Sequence, residues 1–249
     1  MLHKVSEIHN SVLEALDGEI GRCKDFLFDE RFWTVRYMVA DTGKWLSGRK
    51  VLISPISLGR PDWRSGRLPV KLSREKIKGS PPLETDQPIS RQYEIRWFDY
   101  FGWPYYWLGP GAWGAVPNPA DLYEQQQEAR PEPIEPEANH LRSTEEVDGY
   151  HIAARDGDIG HVEDFLVEAD SWSIRYLVVD TRNWLPGRKV LVAVDWADNI
   201  DWREKKVHID LDRDQIEDSP EYDPSAPPDR DFETALYNYY GFPPYWERK

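Results

Sequence analysis

The chain states most of its sequence twice. Asp17-Gly-Glu-Ile-Gly21 returns as Asp156-Gly-Asp-Ile-Gly160, and from there two copies stay in step at an offset of 139 residues. Asp25-Phe26-Leu27 matches Asp164-Phe165-Leu166, and Arg36-Tyr37 matches Arg175-Tyr176. Asp41-Thr42 matches Asp180-Thr181, and Gly48-Arg49-Lys50-Val51-Leu52 matches Gly187-Arg188-Lys189-Val190-Leu191. The register runs without a gap to Trp107 and Trp246. A period this long describes a tandem pair of domains and excludes a short-period solenoid. Each copy must therefore close as one small fold, and any function must be one that such a fold can perform.

A chain of 249 residues accommodates two domains of roughly 100 residues each. The expected boundaries are 1–110 and 141–249, with 111–140 as a linker. Gly109-Pro110-Gly111-Ala112 opens that linker, and Pro117, Pro119, Pro131, Pro133 and Pro136 punctuate it among Gln and Glu. Such a composition is semi-extended and buries too little apolar area to fold alone. Trp113 is the exception and is expected to dock on a domain. Cys23 is the single cysteine, with Val162 as its counterpart, so it reads as a small core residue and excludes an intrachain disulfide. No stretch reaches the ~20 apolar residues that span a bilayer, and Met1–Glu7 lacks an apolar signal core. The expectation is a cytoplasmic protein without a membrane span.

The charge is uneven. Residues 1–110 carry 17 basic against 14 acidic side chains, residues 111–140 one against 6, and residues 141–249 13 against 25. The total of −14 is a poor match for phosphate backbones, which are bound by Lys and Arg. Nucleic acid is therefore disfavoured as a partner. The imbalance reads first as a matter of solubility, and second as a net-positive first copy that faces an acidic surface, such as that of its sibling.

Each copy opens with β signals. Residues 19–28 and 33–41 carry aromatic and β-branched residues, the second run alternating strictly, and 172–180 repeats it; this is the pattern of half-buried strands. Lys50–Ser54 with Lys189–Ala193, and Arg67–Leu72 with Lys206–Leu211, read as further strands. Pro69 places its strand at a sheet edge. Ser73 and Asp212 read as caps of single helical turns. Ser90 and Asp229 cap helices at 91–101 and 230–240, which stop at Gly102 and Gly241. Aromatic tails follow: Trp103-Pro104-Tyr105-Tyr106-Trp107 and Phe242-Pro243-Pro244-Tyr245-Trp246.

This ordered set, Gly-(Glu/Asp)-Ile-Gly, Asp-Phe-Leu, Trp-x-(Val/Ile)-Arg-Tyr-x-Val-x-Asp-Thr, Trp-Leu-x-Gly-Arg-Lys-Val-Leu and a later Ser-Pro, resembles the PRC-barrel family. That family is named for the cytoplasmic part of the photosynthetic reaction-centre H subunit, and more distantly the chain is similar to the C-terminal domain of a ribosome maturation factor. The match covers 17–81 and 156–220, and the tails look like those of bacterial tandem PRC-barrel proteins of undefined role. The resemblance implies an all-β protein: two tandem, six-stranded antiparallel barrels with short peripheral helices. It implies a role in assembling or regulating other macromolecules, and no chemistry.

The residues agree that chemistry is not visible. None of the six histidines has metal-ligand spacing, and no nucleophile elbow or Walker loop occurs. No catalytic residue, cofactor or metal is expected. The recurring Asp25/Asp164, Asp41/Asp180, Arg36/Arg175 and Arg49/Arg188 read first as ion pairs and turn caps. Trp45 and Trp184 lie in apparent turns and are candidates for partner contact, together with Arg49 and Arg188, because Trp, Tyr and Arg dominate binding energies. The competing reading is that each Trp plugs its own barrel end. Tyr105, Trp107, Tyr245 and Trp246 pose the same choice. The expected function is a non-catalytic protein-interaction or assembly module, with a protein partner or self-association. Two alternatives stay open: a small-ligand sensor using a barrel mouth or interdomain cleft, and an accessory factor in RNA processing or ribosome assembly.

Overall fold

The computed structural model describes residues 1–62, 65–83, 89–125, 140–181 and 188–247. The first half of the chain forms β1 (Leu2–Lys4), α1 (Val5–Ile8), β2 (Val12–Ala15), β3 (Gly18–Asp29), β4 (Thr34–Asp41), β5 (Lys50–Ile53), β6 (Arg67–Pro69), α2 (Arg74–Lys78), α3 (Arg91–Phe101) and α4 (Ala120–Tyr123). The second forms β7 (Leu141–Ser143), α5 (Thr144–Val147), β8 (His151–Ala154), β9 (Gly157–Glu168), β10 (Ile174–Asp180), β11 (Lys189–Ala193), β12 (Ala197–Asp201), β13 (Lys206–Ile209), α6 (Arg213–Glu217) and α7 (Arg230–Tyr240). The order of elements repeats as the sequence does.

Two compact units result. The N-unit comprises Glu7–Glu145 and Asp170–Ser173; the C-unit comprises Met1–Ser6, Glu146–Ala169 and Ile174–Lys249. Each unit thus takes its first strand from the other repeat. In the C-unit, β1 pairs antiparallel with the far end of β9, Leu2 opposite Glu168 and Lys4 opposite Leu166. In the N-unit, β7 pairs in the same way with β3, Leu141 opposite Asp29 and Ser143 opposite Leu27. The recurring Asp25/Asp164 pair fixes both junctions. Asp25 Oδ1 accepts from the Thr144 hydroxyl at 3.1 Å and the Glu145 amide at 3.2 Å. Asp164 accepts from the Ser6 amide at 3.1 Å and from the Ser6 hydroxyl. These carboxylates cap the turn that follows each exchanged strand. Burial raises the Asp164 carboxyl above its ordinary value, against hydrogen bonds that lower it.

The exchange has a measurable consequence. Deleting residues 1–6 removes Leu2 and Val5, 4 % and 6 % exposed, together with the ladder bonds of β1 and the bonds from Ser6 to Asp164. About 5 kcal/mol of stability is expected to leave the C-unit, from two buried apolar side chains and a few net hydrogen bonds. Hydrogen exchange checks this: protection falls at Leu166–Glu168, in the second repeat, while the β2–β4 ladder is unchanged.

The sheets are mixed and open, which corrects the expectation of antiparallel closed barrels. Strand order is β5-β4-β3-β2-β6 in the N-unit and β11-β10-β9-β8-β13-β12 in the C-unit. The pairs β2·β6 and β8·β13 are parallel, because each later strand returns by a long connection instead of a hairpin. Among the described residues neither sheet closes by strand pairing. Pro69 lies in the terminal strand β6, as a residue without an N–H donor should. Its counterpart His208 pairs with Asn199 of β12. Trp33 and Trp172, expected to start strands, instead hold positive φ of 47° and 57° in the turns before them.

The helices are not peripheral. Ser90 accepts from the Tyr93 amide at 3.2 Å and Asp229 from the Phe232 amide at 2.8 Å, while Gly102 and Gly241 stop α3 and α7 at φ of 76° and 73°. Between these signals, Trp97 and Phe98 of α3 are each 1 % exposed, and Trp97 packs edge-on against Tyr37 of β4 at 5.2 Å. In the C-unit Leu236 and Tyr237 of α7 are fully buried, with Trp196 edge-on to Tyr237 at 5.4 Å. Each helix supplies the apolar cover that a sheet with one buried face requires. Gly21 and Gly160 explain the repeated Gly-x-x-Gly. A Cβ on either would stand 2.0 or 2.2 Å from the carbonyl oxygen of Asp41 or Asp180. Cys23 is buried, and desolvation pushes its thiol pKa up, as a core residue requires.

The segment expected as linker divides. Its first part packs into the N-unit: Trp113 is fully buried and donates Nε1–H to the Ser171 carbonyl at 2.7 Å. The Pro/Glu run from 126 to 139 lies outside the described residues.

Candidate interaction surface

Arg49, one of the expected contact residues, is occupied by its own fold. Nη1 donates to the Lys78 carbonyl at 3.0 Å and Nη2 to the Ser80 carbonyl at 2.6 Å. Arg188 does the same to the Ser219 carbonyl. Both pin the chain after the short helix, where the repeated Ser-Pro sits.

The aromatic tails join a cluster that recurs in each unit: Tyr105 and Tyr106 are buried and Trp107 half-buried in the N-unit, while Tyr245 and Trp246 are both half-buried in the C-unit. In the N-unit Glu94 is 3 % exposed and accepts from Tyr37 at 2.9 Å, Tyr106 at 2.8 Å and Arg91 at 2.8 Å. Trp107 lies under Arg91 at 4.2 Å, and Tyr105, 3 % exposed, donates to Asp99 at 2.5 Å. In the C-unit Glu233 accepts from Tyr176 at 2.9 Å and Tyr245 at 3.1 Å, and Trp246 lies under Arg230 at 3.9 Å. Burial raises the Glu94 carboxyl against the pull of Arg91 and the tyrosines, and it raises Tyr37 and Tyr106 well above their ordinary range. Tyr245, less buried, is raised to about 12 by desolvation. The arrangement is a closed polar network in a core, in which each partner satisfies another. Glu94 and Glu233 recur at the same offset of 139 residues as the rest of the repeat, as do Arg91 and Arg230.

Arg36 completes the N-unit's interior. It is 1 % exposed, pairs with Asp29 at 3.0 Å, donates to the Ala112 carbonyl, and lies 3.9 Å from the Tyr106 ring centre and 4.7 Å from that of Trp113. Its counterpart Arg175 pairs with Glu168 at 2.6 Å and stacks on Tyr245 at 4.2 Å with more of its side chain in water. The recurring Arg is thus an ion-pair residue in both copies, as the sequence first suggests.

Trp45 is placed differently. The loop from Asp41 to Lys50 is tied internally: Asp41 Oδ1 accepts from the Gly43 amide at 2.9 Å, the Thr42 hydroxyl donates to the Arg49 carbonyl at 2.6 Å, and the Gly48 amide donates to the Gly43 carbonyl at 2.7 Å. Gly43 takes φ of 51°, the positive value expected of that turn. This rigid loop holds Trp45 half-exposed beside a cleft of about 400 Å³, also lined by Glu19, Arg22, Lys24, Asp41 and Lys44. Arg74, at the start of α2, covers one face of the indole at 4.8 Å. Trp45 therefore neither plugs the interior nor stands alone; it forms one wall of an open, cation-rimmed cleft. Trp184 lies outside the described residues. The cations of the rim were missed in the sequence, although their signal is there: Arg22 faces His161 and Lys24 faces Glu163 in the alignment of the copies. Among the described residues no group of His, Cys, Asp and Glu is arranged to hold a metal ion.

The comparison with known families matches one stretch of the second half, to the PRC-barrel domain. The family model matches residues 146–216, from the residue at which the C-unit's main segment begins to Ile216 in α6. The PRC-barrel match thus spans β8 to α6, and leaves out β7 and the α7 cluster. No curated protein matches the chain. Among the described residues no helix is long and apolar enough to cross a membrane.

Proposed function

We propose that the protein is a non-catalytic, cytoplasmic protein-interaction module built from two PRC-type units, and that its partner docks at the Trp45 cleft of the N-unit. The PRC-barrel match in the second repeat supports the class. The 139-residue repeat, with the same Tyr–Glu–Tyr cluster in each unit, extends the reading to the first repeat. The single observation that carries the location is a half-exposed Trp on a loop braced by its own hydrogen bonds. A rigid aromatic at the mouth of a cleft loses little entropy on binding, and such residues most often carry interface energy. Glu94, Tyr37 and Tyr106, all raised by burial, satisfy one another in a buried network of the N-unit. That supports a structural over a catalytic role for them.

Trp45→Ala is expected to leave the melting temperature within a few degrees of wild type, because the residue is half-exposed. It is expected to weaken partner binding by about 2 kcal/mol or more, a change of roughly thirtyfold. Comparative capture from native cells with wild-type and Trp45→Ala protein, quantified by mass spectrometry, checks this. A partner retained equally by the variant removes the cleft from the proposal.

A further inference from the structure

We infer that the Trp45 cleft accepts an acidic polypeptide segment that presents an apolar side chain. This rests on the interaction-module reading above and supplies the chemistry of the partner. The two repeats act as controls for each other. Features present in both copies are common to the two repeats, whether they serve the fold or a shared surface: Trp45 and Trp184, Asp41 and Asp180, Gly21 and Gly160, Arg74 and Arg213. Features of one copy alone are not required by the fold. Arg22, Lys24 and Lys44 stand where the second copy has His161, Glu163 and Asn183.

The difference extends to how the charges are balanced. In the C-unit, Glu163 pairs with Lys189 at 2.5 Å and Arg213 with Asp156 at 3.4 Å. In the N-unit, Arg22 donates to the Asn10 carbonyl at 2.9 Å and Lys24 to the Asn10 side-chain oxygen at 2.8 Å. Asn10 is neutral, and its φ of 65° is a conformation that Asn tolerates better than most residues. It therefore positions two cations without cancelling them. No carboxylate forms an ion pair with Arg22, Lys24, Lys44 or Arg74 among the described residues.

Three cations, Arg22, Lys24 and Lys44, thus line the cleft beside Trp45, and a fourth, Arg74, lies on the indole. Two carboxylates, Glu19 and Asp41, also line it, and Asp41 is engaged with the Gly43 amide. A segment of spaced carboxylates with one apolar side chain complements this surface. Each exposed ion pair contributes only ~0.2–1 kcal/mol, so the charges confer selectivity and salt dependence while the Trp contact supplies the anchor. A nucleic acid strand would also meet the cations. Glu19 and Asp41 in the same cleft, and the net charge of −14 on the whole chain, oppose it.

The test is fluorescence anisotropy on the full chain. The probe is a short fluorescein-labelled peptide of glutamates around one central leucine. The controls are the same peptide with glutamine for every glutamate, and a poly-uridine oligonucleotide. The glutamate peptide is expected to bind and to weaken by about tenfold from low to high salt, as exposed charges are screened. Arg22→Gln with Lys24→Gln is expected to weaken it by about fivefold or more, the loss of two exposed pairs. Trp45→Ala is expected to remove the preference for leucine over alanine at the central position. Lys44→Gln, a fully surface change, provides a second variant if the pair disturbs folding. The inference is overturned if the peptide does not bind, if the glutamine control binds as well, if the variants bind as wild type, or if the oligonucleotide binds more tightly. Photo-crosslinking of a protein partner to another surface, with no binding of the peptide, would remove the acidic segment and keep the interaction module. Absence of any protein partner would remove both.

Discussion

Arg36→Ala should unfold the N-unit at markedly lower denaturant, with a loss of about 3–5 kcal/mol, the range for breaking a buried ion pair from one side. The guanidinium is 1 % exposed and lies between Tyr106 and Trp113. Its removal leaves Asp29, only 5 % exposed, without its cation, and leaves a cavity between two rings. The loss should be specific to the N-unit. Arg175→Ala removes the matching pair with Glu168, where both side chains are more than a fifth in contact with water, and should cost about 1 kcal/mol or less. Denaturant unfolding followed by hydrogen exchange separates the two units. Equal losses from both substitutions would contradict the account of Arg36 as an interior residue.

Glu94→Ala should be as damaging, about 3–5 kcal/mol, because it orphans the buried hydroxyls of Tyr37 and Tyr106 and removes the carboxylate partner of Arg91, whose Nη1 keeps only its bond to the Tyr106 hydroxyl. Glu94→Gln separates charge from shape. Burial raises the folded-state carboxyl above its ordinary value of 4.5, so the folded protein binds this proton more tightly than the unfolded chain does. The resulting stability is fully present below the unfolded pKa and is lost as pH rises through the raised folded pKa. In Glu94→Gln that downward slope should disappear, while the hydrogen bonds from both tyrosines, which fall on one oxygen, are retained and that from Arg91 is lost. Chemical denaturation of both proteins across the acid-to-neutral range measures it. A wild-type N-unit whose stability instead rises with pH through that window, with the rise lost in Glu94→Gln, would show that Arg91 and the tyrosines outweigh desolvation.

The parts legible in the sequence were those set by neighbours along the chain. Ser90 and Asp229 before a helical run, and Gly102 and Gly241 after it, act within a few residues and are found where they were expected. The alternation of 33–41 located a strand but not its burial: Trp33 lies before it, and Thr34–Ala40 are buried on both faces, because packing on the second face comes from elements distant along the chain. The Arg36/Arg175 repeat likewise pointed to ion pairs, since strand spacing puts an acid within reach. What stayed hidden depends on distance along the chain. Three residues such as Leu2–Lys4 carry no periodicity, and nothing local says that their partner is Leu166–Glu168. The parallel pairing of β2 with β6 is equally non-local. Asp25 and Asp164 could be seen to recur, but not that they cap a turn supplied by the other repeat. At the cleft, Trp45 was legible as a turn residue of binding type. Its cationic rim was not, because Arg22 and Lys24 come from a strand, Lys44 from the loop and Arg74 from a helix, and only the fold brings the four together.

The most direct test of the central claim is site-specific photo-crosslinking in native cells, with the photoreactive residue at the exposed Lys44 beside Trp45. The proposal predicts a protein adduct at this position that diminishes when Trp45→Ala is added and is absent from an exposed control position on the same unit, such as Glu75. Adducts only to RNA or to a small molecule, or a protein adduct indifferent to Trp45, would contradict the reading of this cleft as the docking site of a protein-interaction module.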